Sequence, residues 1–185
     1  MPSLIPPLIW PFRRSESLTV APRRTIETIY GMIVAQTREP AFYERFGVPD
    51  TVSGRFDLLL LHMWLVLRRL RREGPPDPLS QALFDRFCED MDGNLREMAV
   101  GDLAVPKRMR KFGEAFYGRM AAYDAALDAG GDALAQAIDK NVLFGRGAGN
   151  GQRLAAYAVD ALKVLSASDD EAVRDGRFVF PSPGR

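Results

Sequence analysis

Residues 87–123, FCEDMDGNLREMAVGDLAVPKRMRKFGEAFYGRMAAY, hold two helical periods and the break between them. Phe87, Met91, Leu95 and Met98 are spaced by 4, 4 and 3 residues, which stacks them on one helix face. Gly101 to Val105 reads as a tight polar turn. Pro106 then suits the start of a new helix, where its missing N–H has no partner to lose. Met109, Phe112, Phe116, Met120, Tyr123 and Leu127 follow at spacings of 3, 4, 4, 3 and 4. Two apolar stripes joined by a short turn make a helical hairpin, and such a hairpin buries its stripes against further helices. The fold class is therefore all-α.

The helical period runs outward in both directions. Ile26, Ile29, Tyr30, Ile33 and Val34 form a stripe that Pro40 closes. Phe42 to Phe46 reads as a short helical turn before Gly47-Val48-Pro49. Thr51 or Ser53 can cap the next helix. That helix runs to about Arg72 and is apolar nearly all round at its centre, as a buried central helix should be. Gly74-Pro75-Pro76 stops it, and Asp77-Pro78 supplies the cap and first position of a helix to about Ala99. Beyond the hairpin, Gly130-Gly131 ends one helix and Asp132 caps a shorter one to about Phe144. Asn150 caps a helix carrying Leu154, Tyr157, Ala158, Ala161, Leu162 and Leu165, and Ser168-x-x-Glu171 matches a capping box for a last short one. The FVFP near the end is too short to found a sheet. The expectation is one globular helical domain over residues 22–185, with about seven helices. Residues 1–21 read as an extended, proline-rich arm that lies along the domain or meets a partner or membrane.

A chain of 185 residues with 46% hydrophobic and 26% charged content can bury a sufficient core without covalent staples. Cys88 stands alone, so no intramolecular disulfide forms, which fits a reducing compartment. The net charge of +1 argues against a wholesale polyanion binder, and DNA is not an expected partner. The distribution is less even: residues 105–119 carry Lys107, Arg108, Arg110, Lys111 and Arg119 against Glu114, while residues 124–175 carry nine acids against five bases. Such a dipolar molecule can be oriented on a charged surface. The longest apolar run, Leu58 to Leu67, is broken by His62 and falls well short of the roughly 20 residues that span a bilayer.

Catalytic chemistry finds little support. His62 is the only histidine and lies in an apolar run, so it reads as a core residue, as does Cys88. The glycine-rich Gly145–Gly151 stretch follows no strand and has no Gly-Lys-Ser/Thr ending, so it reads as an interhelical loop. Glu89, Asp90 and Asp92 point in different directions on a helix, with Asp92 and Arg96 as an i,i+4 pair. The most specific polar feature is the run Lys107, Arg108, Arg110 and Lys111. It opens a helix, the end whose dipole favours acids. Those cations either meet Glu97, Asp102, Asp92 and Asp90 in an internal network or face a partner: protein acids, anionic lipid or RNA. Arg68, Arg69, Arg71 and Arg72 make a second basic end. Gly113 and Gly118 permit close approach of another helix, with Tyr117 and Arg119 flanking that surface.

Leu95-Arg96-Glu97-Met98, Gly101-Asp102-Leu103, Val105-Pro106-Lys107, Phe116-Tyr117-Gly118-Arg119 and Tyr123 together resemble the hallmark region of the ubiquinol–cytochrome c chaperone family. Gly54-Arg55-Phe56 and Leu61-His62-Met63-Trp64 are similar to the helices that precede it, so the resemblance covers most of residues 25–145. It implies a non-enzymatic chaperone, without a cofactor, that binds newly made cytochrome b and promotes assembly of respiratory complex III. Mitochondrial members act with a small partner protein beside the ribosome on the inner membrane. The Arg- and Ala-rich composition and the lack of a presequence suit a bacterial member. It would be cytoplasmic or peripheral at the cytoplasmic face of the inner membrane. Arg96, Asp102, Lys107, Arg108, Arg110, Lys111, Tyr117 and Arg119 are the candidate partner-binding residues. The alternatives are a generic helical interaction adaptor and, behind it, an enzyme acting on an anionic small molecule through His62.

Overall fold

The computed structural model describes residues 22–71, 77–147 and 149–184. The arm expected over residues 1–21, Arg72, and the Gly74-Pro75-Pro76 stop lie outside them. Among the described residues the chain is helical without strands: α1 (Arg23–Thr37), α2 (Pro40–Glu44), α3 (Val52–Leu70), α4 (Pro78–Glu97), α5 (Val105–Ala129), α6 (Ala133–Val142), α7 (Asn150–Ala167) and α8 (Asp170–Arg174). The all-α expectation holds. The count of eight includes two helices of five residues each.

Helix α3 is the axis. Every residue from Asp57 to Val66 is buried, and the helix touches α1, α4, α5, α6 and α7. Each fully buried leucine of this run contributes about 1.5–3 kcal/mol relative to exposure, so α3 dominates the core. Its start is set by two local devices. The Thr51 hydroxyl accepts from the Gly54 amide at 3.1 Å, which satisfies one of the open N–H groups of the first turn. Gly54 is packed so closely on Pro49 that any Cβ would collide with the Pro49 carbonyl oxygen.

Three capping expectations are corrected. Asp132 precedes α6 but makes no side-chain cap, because its backbone (φ −86°, ψ 3°) is not extended and does not place the carboxylate over the first amides. Asn150 lies inside α7, which follows Gly149 at φ 93°; its side-chain oxygen accepts from Arg153 instead. Asp169, not Ser168, caps α8 by accepting from the Ala172 amide at 3.1 Å. The Ser168 hydroxyl is turned back to donate to the Val164 carbonyl at 2.9 Å.

After α8 the chain returns without forming a strand: Phe178 is buried, and Phe180 meets His62 edge-on at 5.4 Å.

Candidate functional site

The turn between α4 and α5 is a sharp corner. Helix α4 closes with the Val100 amide donating to Leu95 at 3.1 Å and the Ala99 amide to Arg96 at 3.0 Å. That closure holds Ala99 at φ 55°, a left-handed conformation that glycine adopts more cheaply. Val105 is buried and anchors the start of α5. Leu103, by contrast, is 99% exposed and Met98 61% exposed.

The charges around this corner sort into two kinds. Arg96 donates to Asp92 at 2.6 Å and to Asp102 at 3.1 Å, bracing the turn to the last turns of α4. Arg110 lies 3.6 Å from Glu114 on the same exposed helix face. Lys107, Arg108 and Lys111 are exposed and make no ion pair among the described residues. Of the acids expected to answer them, Glu97 is exposed and forms no ion pair among the described residues, and Asp92 and Asp102 are held by Arg96. Asp90 accepts from the Tyr30 hydroxyl at 2.9 Å and lies 3.9 Å from Arg86. The internal-network reading therefore fails for these three cations. Helix α5 also begins with neither a side-chain cap nor an acid in its first turn, so the dipole opposes the cations it carries.

The other candidate residues separate. Tyr117 is half-exposed, with its ring 5.4 Å from that of Phe84; partial burial, aided by Cys88 and Asp85, pushes its phenol pKa up. Arg119 is turned inward and donates to the buried Asp57 at 3.0 Å, so it does not flank an open surface. Burial raises the Asp57 pKa and the Arg119 guanidinium opposes that rise. Gly113 is buried while Gly118 stands in open space, so the two glycines do not share one docking face.

The second basic end is tied into the fold. Asp124 accepts from Trp64 Nε1 at 2.9 Å, Arg68 at 2.8 Å and Arg71 at 2.6 Å. Arg69 donates to the Leu165 and Ser168 carbonyls and to Asp170. These arginines join α3 to α5 and to the end of α7.

His62 is fully buried and both its nitrogens are engaged. Nδ1–H donates to the Leu58 carbonyl at 2.9 Å, and Nε2 accepts from the Tyr157 hydroxyl at 2.9 Å. That hydroxyl in turn accepts from Gln36 at 3.0 Å. Burial pulls the His62 pKa down to about 4, so the ring is neutral and structural. Burial, helped by Asp85 and Glu89, pushes the half-buried Cys88 thiol up to about 11, far from a reactive thiolate. The glycine-rich loop folds on its own acid: Asp139 accepts from the Gly147 amide at 2.9 Å. Among the described residues no three His, Cys, Asp or Glu side chains form a metal-binding group.

One feature escaped the sequence reading. A groove of about 1080 Å³ runs between α7 and the C-terminal segment, floored by Phe46, Tyr157, Val164 and Phe180 and rimmed by Arg45, Arg153 and Asp160. Arg153 lies over the Phe46 ring at 5.2 Å. The groove depends on where the chain returns after α8, which no local pattern encodes.

The family described as Ubiquinol-cytochrome C chaperone matches residues 44–180. Ubiquinol-cytochrome-c reductase complex assembly factor 1 of Xenopus laevis is 26% identical over 116 residues, 62% of this chain and 58% of that protein. Protein CBP3, mitochondrial, of Saccharomyces cerevisiae is 29% identical over 152 residues, 77% of this chain and 45% of that protein. The chain thus spans about half the length of these two relatives. The crystal structure of the Cbp3 homolog from Brucella abortus is similar with a TM-score of 0.78 at 38% identity, over 88% of this chain and 92% of that one.

Proposed function

Because the chain belongs to the ubiquinol–cytochrome c chaperone family, we propose that it is a non-enzymatic chaperone for assembly of ubiquinol–cytochrome c reductase, complex III, and that newly made cytochrome b is its client. The observation that carries this reading is the family match itself, which takes in every element from the end of α2 to the C-terminal segment. Two surfaces support it. The Arg-rimmed groove offers an apolar floor to a hydrophobic client segment, and the α4–α5 corner offers unpaired cations to a negatively charged partner. No described helix is long and apolar enough to cross a membrane. On this reading the protein meets its client from the cytoplasmic face of a bacterial inner membrane. On the same reading a small partner protein or the ribosome is a further contact of the chain.

The test is affinity capture of the tagged chain from membranes of its native host, with mass spectrometry of what it retains. Cytochrome b recovered with little of the mature complex III subunits is the expected result. Recovery of soluble proteins alone, with complex III unchanged when the gene is deleted, would sink the proposal and favour a general helical adaptor.

A further inference from the structure

We infer that the α4–α5 corner is a membrane-contact wedge. Leu103 and Met98 enter the headgroup boundary of an anionic bilayer, and Lys107, Arg108 and Lys111 bind its phosphates. The inference rests on the chaperone reading only for its purpose, since the chemistry is that of the corner alone.

Three observations converge on it. Leu103 is 99% and Met98 61% exposed on adjoining parts of one turn, with Ala104 and Pro106 also exposed between them and the cations. Lys107, Arg108 and Lys111 follow within the first two turns of α5 and have no ion-pair partner among the described residues. Positions 107 and 111 are one turn apart and 108 lies beside them, so the three share one side of the helix. Of the corner's two exposed acids, Asp102 is held by Arg96 at 3.1 Å, which offsets its repulsion of an anionic surface, and Glu97 is outnumbered by the three free cations. An apolar tip beside long cationic stems suits an interface in which the tip is buried and the ammonium groups stay at headgroup level.

The same features fit other partners less well. Single-stranded RNA is usually gripped by aromatic side chains interleaved with cations, and residues 98–111 contain no aromatic residue. Protein interfaces are anchored by Trp, Tyr and Arg and are depleted in Lys, yet two of the three free cations here are lysines.

The experiment is co-sedimentation of the purified full-length chain with vesicles of phosphatidylcholine alone or mixed with phosphatidylglycerol. Binding is expected only with phosphatidylglycerol present. Each single Gln substitution of Lys107, Arg108 or Lys111 should weaken it about fivefold. Leu103→Ser, which leaves the charge unchanged, should weaken it severalfold, whereas Val52→Ser, at a residue 74% exposed on α3 and outside both candidate surfaces, should not. All these positions are exposed, and unchanged helicity verifies that each variant is folded. Equal binding to both vesicle types, or binding unaffected by the cation and Leu103 changes, would overturn the wedge. So would a chain that ignores vesicles but loses a captured protein partner with the same substitutions; the corner would then be a protein-docking surface, with the chaperone reading intact.

Discussion

The two basic clusters of this protein contain similar residues and serve opposite ends. Arg68, Arg69 and Arg71 end α3, where the helix dipole favours cations. They reach Asp124, Asp128, Asp170 and two backbone carbonyls. Lys107, Arg108 and Lys111 open α5, where the dipole disfavours them, and they reach no acid of their own chain among the described residues. One set holds helices together. The other carries a local electrostatic cost that the fold does not offset, and on the proposal made above a partner offsets it.

The sharpest way to break this comparison is to remove the shared acid of the first cluster. Asp124→Ala leaves Trp64 Nε1 and Arg71 without this acceptor, and Arg68 with only Asp128, at a side chain only 21% exposed. We expect a loss of about 2–3 kcal/mol in urea unfolding, with Asp124→Asn losing less because it still accepts from Trp64. A loss near zero would mean that the α3 arginines are no more committed than those of α5.

The next effect concerns the buried chain Gln36–Tyr157–His62. The folded-state pKa of His62 is depressed to about 4 from 6.5, so between these values the unfolded chain binds a proton that the folded one refuses. Stability is therefore lost as pH falls through that window, by about 2 kcal/mol at pH 5. His62→Gln, less stable at neutral pH, should show a shallower decline over the same range. Parallel curves for the two proteins would remove His62 as the cause.

A smaller gain is expected at the corner. Ala99 at φ 55° holds a conformation that costs an L-residue about 1 kcal/mol relative to glycine. Ala99→Gly should therefore raise the unfolding free energy by about that amount, and an unchanged midpoint would show that the closure of α4 carries no strain.

Much of the fold was legible because burial and period agree. The stripes of α1, α4 and α5 and the all-round apolar centre of α3 predict their own helices. The Thr51 and Asp77 caps lie where side-chain chemistry requires them. The misread caps share a physical cause: Asp132, Asn150 and Ser168 have the right side chains, but the loop geometry places another residue, or none, over the free amides. The site was legible in part. The cluster at 107–111 stood out by its position against the dipole, whereas the exposure of Leu103 and Met98 emerged only from the folded corner. That Arg119 turns to Asp57, and that the Arg68–Arg71 run is neutralised, depends on contacts between residues 53 to 101 positions apart. Sequence spacing alone does not report such contacts.

The smallest expected change in stability is the most discriminating. Replacing Lys107, Arg108 and Lys111 together by Glu puts acids where the α5 dipole favours them and breaks no ion pair within the described chain. We expect the unfolding free energy to stay level or rise, by no more than about 1 kcal/mol, with the gain shrinking as salt is added. A loss comparable to that of Asp124→Ala would mean that these cations hold the fold through partners not seen in the described residues, and the two clusters would then be alike. A level or improved stability alongside weakened vesicle or client association would separate folding from binding at these three side chains, because a structural role would move both together.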